Sequence, residues 1–184
     1  MTRLAPTPGQ TVGPFFHYAM PYPGDSELVP RGTPGAVRLH GTVFDGAGTP
    51  VSDALLEVWQ ADPDGAVVQR HGSLHRDGWT FTGFGRCATD GAGHYSFTTL
   101  TPGAVDGGLP FFAVTVFARG LLHRLTTRAY LPLADGATDP LLTAAGPRAR
   151  TLVATADPDG YRFNVHLQGP EETVFLVAPG ETPA

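Results

Sequence analysis

No lysine occurs in this chain of 184 residues, so all 12 basic groups are arginines, set against 17 acidic residues and a formal net charge of -5. That balance provides no basic face for nucleic acid. Cys87 is the only cysteine, which excludes an internal disulfide and gives no sign of an oxidising compartment. No window approaches the ~18 consecutive apolar residues needed for a membrane-spanning helix. Residues 1–16 also lack the apolar run of a secretory signal, so the expected location is cytoplasmic, with no membrane partner. Several catalytic signatures are absent as well: there is no nucleophile elbow, no P-loop and no dinucleotide fingerprint. Charged residues make up only 16% of the chain against 41% hydrophobic, a composition that favours a packed core over disorder.

What is plentiful is punctuation. The 24 glycines and 18 prolines, in pairs such as Pro34-Gly35 and Pro102-Gly103, cut the chain into short apolar segments that are too brief for long helices. The length suits one domain. Residues 1–35, rich in Pro, Gly and Thr, read as an extended N-terminal arm that wraps its own domain or a partner; residues 36–184 read as an all-β domain, a β-sandwich with little helix.

The strands announce themselves by alternation. Val37, Leu39, Gly41 and Val43 oppose Arg38, His40 and Thr42, the period of a half-buried strand. Asp45-Gly46-Ala47-Gly48 supplies a turn before Leu55–Gln60, and further strands are expected at 81–89, His94–Leu100, 111–118 and 124–131. Phe111–Phe117 is apolar almost throughout, which predicts a central strand covered on both faces. Late in the chain Tyr161, Phe163, Val165 and Leu167 alternate with Arg162, Asn164, His166 and Gln168. The expected hairpin partner is 151–155, joined through Asp157-Pro158-Asp159-Gly160, with a last strand at 173–177. Only 139–145, with Pro140 near its start, has the makings of a helical turn.

Residues alone offer little chemistry. Cys87 lies inside an expected strand and reads as a buried, inert thiol. His71 and His75 have a metal-compatible i, i+4 spacing, but the intervening sequence contains glycine and is loop-like, while His94, His123 and His166 stand alone.

Five ordered stretches say more: QTVGPFFH (10–17), LEVWQADPDG (from residue 56), YSFTTLTPG (95–103), PFFAVTVFARGLLHRLTTRAYLP (110–132) and YRFNVHLQGPEETVFL (161–176). In order and spacing they resemble the intradiol ring-cleaving dioxygenases over nearly the whole chain, and within that family the α chains of its heteromeric, protocatechuate-cleaving branch. Catalytic members hold ferric iron with two tyrosines and two histidines, donors suited to an oxidised, hard metal. Carried across, these four ligand positions fall on Val67, Val105, Phe111 and Ala113, none of which has a lone pair to offer. The resemblance therefore implies a chain that binds no metal and carries no catalytic residue of its own. It implies a β-subunit partner bearing the Fe(III), joined in a higher-order αβ oligomer that converts protocatechuate, a small aromatic substrate, and O2 to 3-carboxy-cis,cis-muconate. By the same resemblance Thr11, Gly13, Pro14 and Arg119 would form substrate-pocket wall. An ordinary arm turn and a surface ion pair are the bland readings of these four. Phe15, Phe16, Tyr18 and Tyr22 are candidate interface anchors, with local packing as their alternative role. A rival from another class is a non-enzymatic β-sandwich binding module.

Overall fold

The computed structural model describes residues 11–13, 15–68 and 77–177. Pro14, His71 and His75, named above, lie outside them. Within the described residues the chain forms α1 (Phe16–Ala19), β1 (Ala36–Phe44), β2 (Leu55–Gln60), β3 (Phe84–Ala88), β4 (His94–Leu100), β5 (Phe111–Phe117) and β6 (Leu125–Tyr130). After these come α2 (Pro140–Ala145), a 3-10 helix (Gly146–Leu152), β7 (Thr155–Asp157), β8 (Gly160–Arg162) and β9 (Val165–His166).

Two sheets make the sandwich. One has the order β4-β1-β8-β7 with β9 also paired to β1; the other has the order β3-β2-β5-β6. Alternation decides which side chains meet between them. Leu39 and Val43 of β1 and Tyr95 and Phe97 of β4 face Leu56 and Val58 of β2 and Phe112, Val114 and Val116 of β5 in one buried cluster. Each large apolar side chain so buried contributes about 1.5–3 kcal/mol, which makes this cluster the main source of stability. A buried polar link between the sheets is satisfied: Thr99 Oγ1 donates to Gln60 Oε1 at 2.5 Å, and Gln60 Nε2 donates to the Leu100 carbonyl at 2.9 Å.

A second, smaller core forms on the outward side of β5 and β6. There Tyr130, Leu142 and Leu152 are packed with Leu109, Phe111, Leu141 and Val153 under α2 and the 3-10 helix. Asp139 caps α2 by accepting from Leu141 N–H at 2.8 Å, and Pro140 occupies the first turn as expected. This second core corrects the expectation for Phe111–Phe117. The strand is interior, but its burial alternates, with Phe112, Val114 and Val116 in the main core and the other side chains half-buried on the opposite face.

The end of the chain differs from expectation in two ways. Residues 151–155 do not form the partner strand, because the chain from Gly146 to Leu152 winds into a 3-10 helix; the hairpin is instead Thr155–Asp157 with Gly160–Arg162. The 161–168 strand is split, and both of its parts run parallel to β1. At the break the Phe163 carbonyl accepts from Tyr95 Oη at 2.5 Å, and it lies 1.9 Å from where a Cβ on Gly41 would stand. Glycine at 41 is what permits this approach. Residues 173–177 make only an isolated bridge, Thr126 with Leu176.

Candidate functional site

The N-terminal segment lies on its own domain. Leu28 N–H donates to the Thr98 carbonyl at 2.8 Å, and Thr98 N–H donates to the Ser26 carbonyl at 2.9 Å, while Arg86 N–H donates to the Asp25 carbonyl at 2.8 Å. Residues 25–28 thereby join β4 of one sheet to β3 of the other, and Leu28 and Val29 plug the core between them. Upstream, the segment crosses the outward face of the second sheet. Arg86 holds it there: the guanidinium donates to Glu57 Oε1 through Nη2 at 2.5 Å and Nε at 3.0 Å, and through Nη1 to the Met20 carbonyl at 2.9 Å. The rings of Tyr22 and Phe84 each lie 5.9 Å from its central carbon. One turn of helix, α1, forms within this arm, where composition predicted no regular structure; it makes no side-chain cap.

Farther upstream, Thr11 Oγ1 accepts from Gly120 N–H at 2.8 Å. This bond puts the arm beside the loop that follows β5, so two groups of residues more than a hundred positions apart are brought together: Thr11 and Gly13 with Arg119. A Cβ at Gly13 would meet nothing within 4 Å, so the chain's own packing does not demand glycine there. Arg119 is two-thirds exposed, and its Nε lies 3.3 Å from Asp53 Oδ2. Surface pairs of this kind contribute about 0–1 kcal/mol and exchange partners readily. Asp53 carried no signal in the sequence, since it meets Arg119 only because the start of β2 lies beside the end of β5. Of the four aromatics in the arm, Phe15 and Tyr18 are largely exposed, whereas Phe16 and Tyr22 are half-buried.

Of the four positions that the resemblance sets against metal ligands, Phe111 and Ala113 face outward from β5. Phe111 and Ala113 alternate with the core residues of β5, and Ala113 pairs with Trp59 of β2, itself outward and partly exposed. Val67 forms a bridge with Ala61, two residues beyond Trp59. The loops carrying Val67 and Val105 abut, since Gly103 N–H donates to the Asp62 carbonyl at 2.8 Å and the Ala104 carbonyl lies where a Gly65 Cβ would be. Phe111 is filled in on one side by Tyr130, with ring centres 5.6 Å apart, and on another by the Arg128 guanidinium, 4.1 Å from the ring centre. A ferric ion does not fit these hydrocarbon side chains, which offer neither oxygen nor nitrogen. Among the described residues no group of three or more His, Cys, Asp or Glu is placed to hold a metal.

Several other titratable groups are engaged within the fold. Burial pushes the Cys87 thiol up to about 11, leaving it protonated and unreactive at neutral pH. Burial likewise raises Tyr95, whose hydroxyl serves the Phe163 carbonyl. His40 Nε2 lies 2.5 Å from Asp157 Oδ2, and this hydrogen bond holds the Asp157 carboxyl below its ordinary value. His94 lies 5.8 Å from His40, and His166 stacks on Phe44 at 4.9 Å.

A family model described as "Dioxygenase" matches residues 12–108. The chain is 39% identical to a protocatechuate 3,4-dioxygenase alpha chain from Burkholderia cepacia, over 96% of this chain and 99% of that one. The chain belongs to the intradiol dioxygenases. It is also 33% identical to the protocatechuate 3,4-dioxygenase beta chain of the same organism, over 74% of this chain and 66% of that one. Among solved structures, the dioxygenase domain of a carbohydrate-binding fusion protein from Streptomyces sp. SirexAA-E superposes with a TM-score of 0.54 at 28% identity, covering 88% of this chain and 96% of that one. The sandwich of this intradiol dioxygenase chain is therefore the family's fold. No helix among the described residues is long and apolar enough to cross a membrane.

Proposed function

We propose that this chain is the metal-free α subunit of a cytoplasmic protocatechuate 3,4-dioxygenase, and that it completes the active site of an iron-bearing β subunit in a higher-order αβ oligomer. The reading rests on one combination above the others: a chain 39% identical to a named alpha chain over almost its full length has hydrocarbon at Val67, Val105, Phe111 and Ala113, the four positions that the resemblance sets against metal ligands. A scaffold kept entire while its donors are lost points to a supporting role.

In this reading Thr11, Gly13, Pro14 and Arg119 form pocket wall contributed to the partner. The Thr11–Gly120 bond favours it by holding arm and arginine side by side. Arg119 exchanges its exposed contact with Asp53 for the substrate carboxylate, which its planar fork matches. Gly13, uncrowded in its own chain, lets the partner's substrate approach the backbone closely. Phe15 and Tyr18 anchor the subunit contact, while Phe16 and Tyr22 pack locally. The contribution of this chain is to orient the substrate and exclude water.

Co-expression with the β chain tests the proposal. The purified complex is expected to show tyrosinate-to-iron colour and to consume oxygen with protocatechuate, and the chain alone to show neither. Stoichiometric iron in the isolated chain would overturn the reading.

A further inference from the structure

The outward face of the second sheet carries a charge that neither the family resemblance nor the core explains. Arg128 on β6 is paired in register with Ala113, and its guanidinium lies 4.1 Å from the centre of the Phe111 ring, so the residue borders both strand positions where the resemblance sets histidine ligands. Arg128 Nη1 donates to Tyr130 Oη at 3.1 Å, and Tyr130 Oη donates to Asp139 Oδ1 at 2.9 Å. Burial raises the Tyr130 pKa, which keeps the phenol protonated and able to donate. Asp139 is in turn fixed as the cap of α2. The guanidinium is thus held at one end by a buried tyrosine and at its face by an aromatic ring, and among the described residues it takes part in no ion pair.

We propose that Arg128 is a resident cation standing in place of the metal: beside Phe111 and Ala113 it bars metal ions by charge as well as by volume. Loss of ligands alone removes attraction, whereas a fixed positive charge a few ångströms away adds repulsion in a half-buried setting where screening is weak. The aromatic ring rewards the guanidinium for sitting there, so a cation supplied by the chain itself rests against Phe111. The consequence, resting on the functional reading above, is that a chain folding beside an iron-requiring partner does not compete with it for metal.

The test uses the isolated full-length chain and nickel as the probe, so its outcome is separate from that of assembly with a β subunit. The substitutions Phe111→His and Ala113→His together create an i, i+2 histidine pair on one strand face, in a background where Tyr130 still anchors Arg128. Nickel affinity is measured by calorimetry at pH 8 in that background with position 128 as Arg, Lys or Gln. The expected result is weak binding with Arg or Lys and at least about tenfold tighter binding with Gln, since the charge and not the stacking is what opposes the ion. Equal affinity in the Arg and Gln forms overturns the proposal, as does binding by neither, because the two positions then do not share a site with residue 128. Should the double substitution fail to fold, the unaltered chain decides by NMR. The Arg128 Nε–H is expected to show a ring-current shift that disappears in Phe111→Leu, and an unshifted signal refutes the placement.

Discussion

Replacing Arg86 with methionine is expected to cost about 3 kcal/mol, at the low end of the ~3–5 kcal/mol found when one member of a buried ion pair is removed. The Arg86 and Glu57 side chains are only 11% and 19% exposed, so the substitution leaves a carboxylate with little water in place of its cation. The hydrogen bond to the Met20 carbonyl is lost too, but Met20 lies at the surface and its carbonyl is rehydrated, so little is added there. Methionine keeps much of the side-chain volume over Phe84 and Tyr22, which isolates the charge from the packing. Against a typical domain stability of about 5–15 kcal/mol the loss is large.

Urea denaturation measures it, with the fluorescence of Trp59 as reporter, since that indole lies 4.6 Å from the Phe84 ring on the same face. The double substitution Arg86→Met with Glu57→Gln removes both charges and is expected to recover most of the stability, giving a coupling of about 2 kcal/mol. Limited proteolysis gives a second readout: cleavage between residues 11 and 22 accelerates in Arg86→Met, because the bond that pins the arm is gone. A single variant within about 0.5 kcal/mol of the parent, or a double variant equal to the sum of the singles, refutes the argument.

Four shorter expectations follow from the same structure. In the αβ complex, Arg119→Met is expected to raise KM for protocatechuate about tenfold while leaving a catechol without a carboxylate nearly unaffected, a contrast that steady-state kinetics reads directly. Gly41→Ala, whose new Cβ would stand 1.9 Å from the Phe163 carbonyl oxygen, is expected to lose about 3 kcal/mol or to fail to accumulate as soluble protein. Because the His40 hydrogen bond lowers the Asp157 pKa, the carboxylate's contribution is complete above the unfolded value and drains away as pH falls through the folded one; acid titration of stability should show that slope lessened in Asp157→Asn. The Cys87 thiol, raised to about 11 by burial, is expected to resist alkylation at pH 7 in the folded chain and to react quickly in urea.

The parts that could be read from the sequence are those governed by local period. Leu39, Phe97 and Val165 sit between polar neighbours, and all are fully buried. Pro140 announced the start of α2 through its fixed φ, and the structure adds Asp139 as the cap. What could not be read depends on contacts between distant segments. Nothing near Phe163 signals that its carbonyl will press against Gly41, and that approach is what breaks the last long strand. The apolar outward residues of β5 gave no hint of their direction, because the second core that receives Phe111 is built mostly from later parts of the chain, Tyr130, Leu142 and Leu152 among them. Arg86 and Glu57 carry no motif at all; they meet only because β2 and β3 lie in register. At the site, the resemblance marked Thr11 and Arg119, but the Thr11 bond to Gly120 and the Asp53 partner of Arg119 needed the fold.

Strand alternation also explains how a chain of this family dispenses with ligands and keeps its architecture. The residues that hold the sheets together, Phe112, Val114 and Val116, point inward from the strand that carries Phe111 and Ala113 outward. Val67 is exposed on its loop, and Val105 belongs to neither buried cluster. Substitution at Phe111 or Ala113 therefore touches the second core or the outward face and leaves the main core's volume unchanged, whereas the same exchanges one residue along the strand would cost several kcal/mol each. Period two separates the two faces of this sheet, so the outward side chains of β5 can change while those that hold the sheets together stay in place.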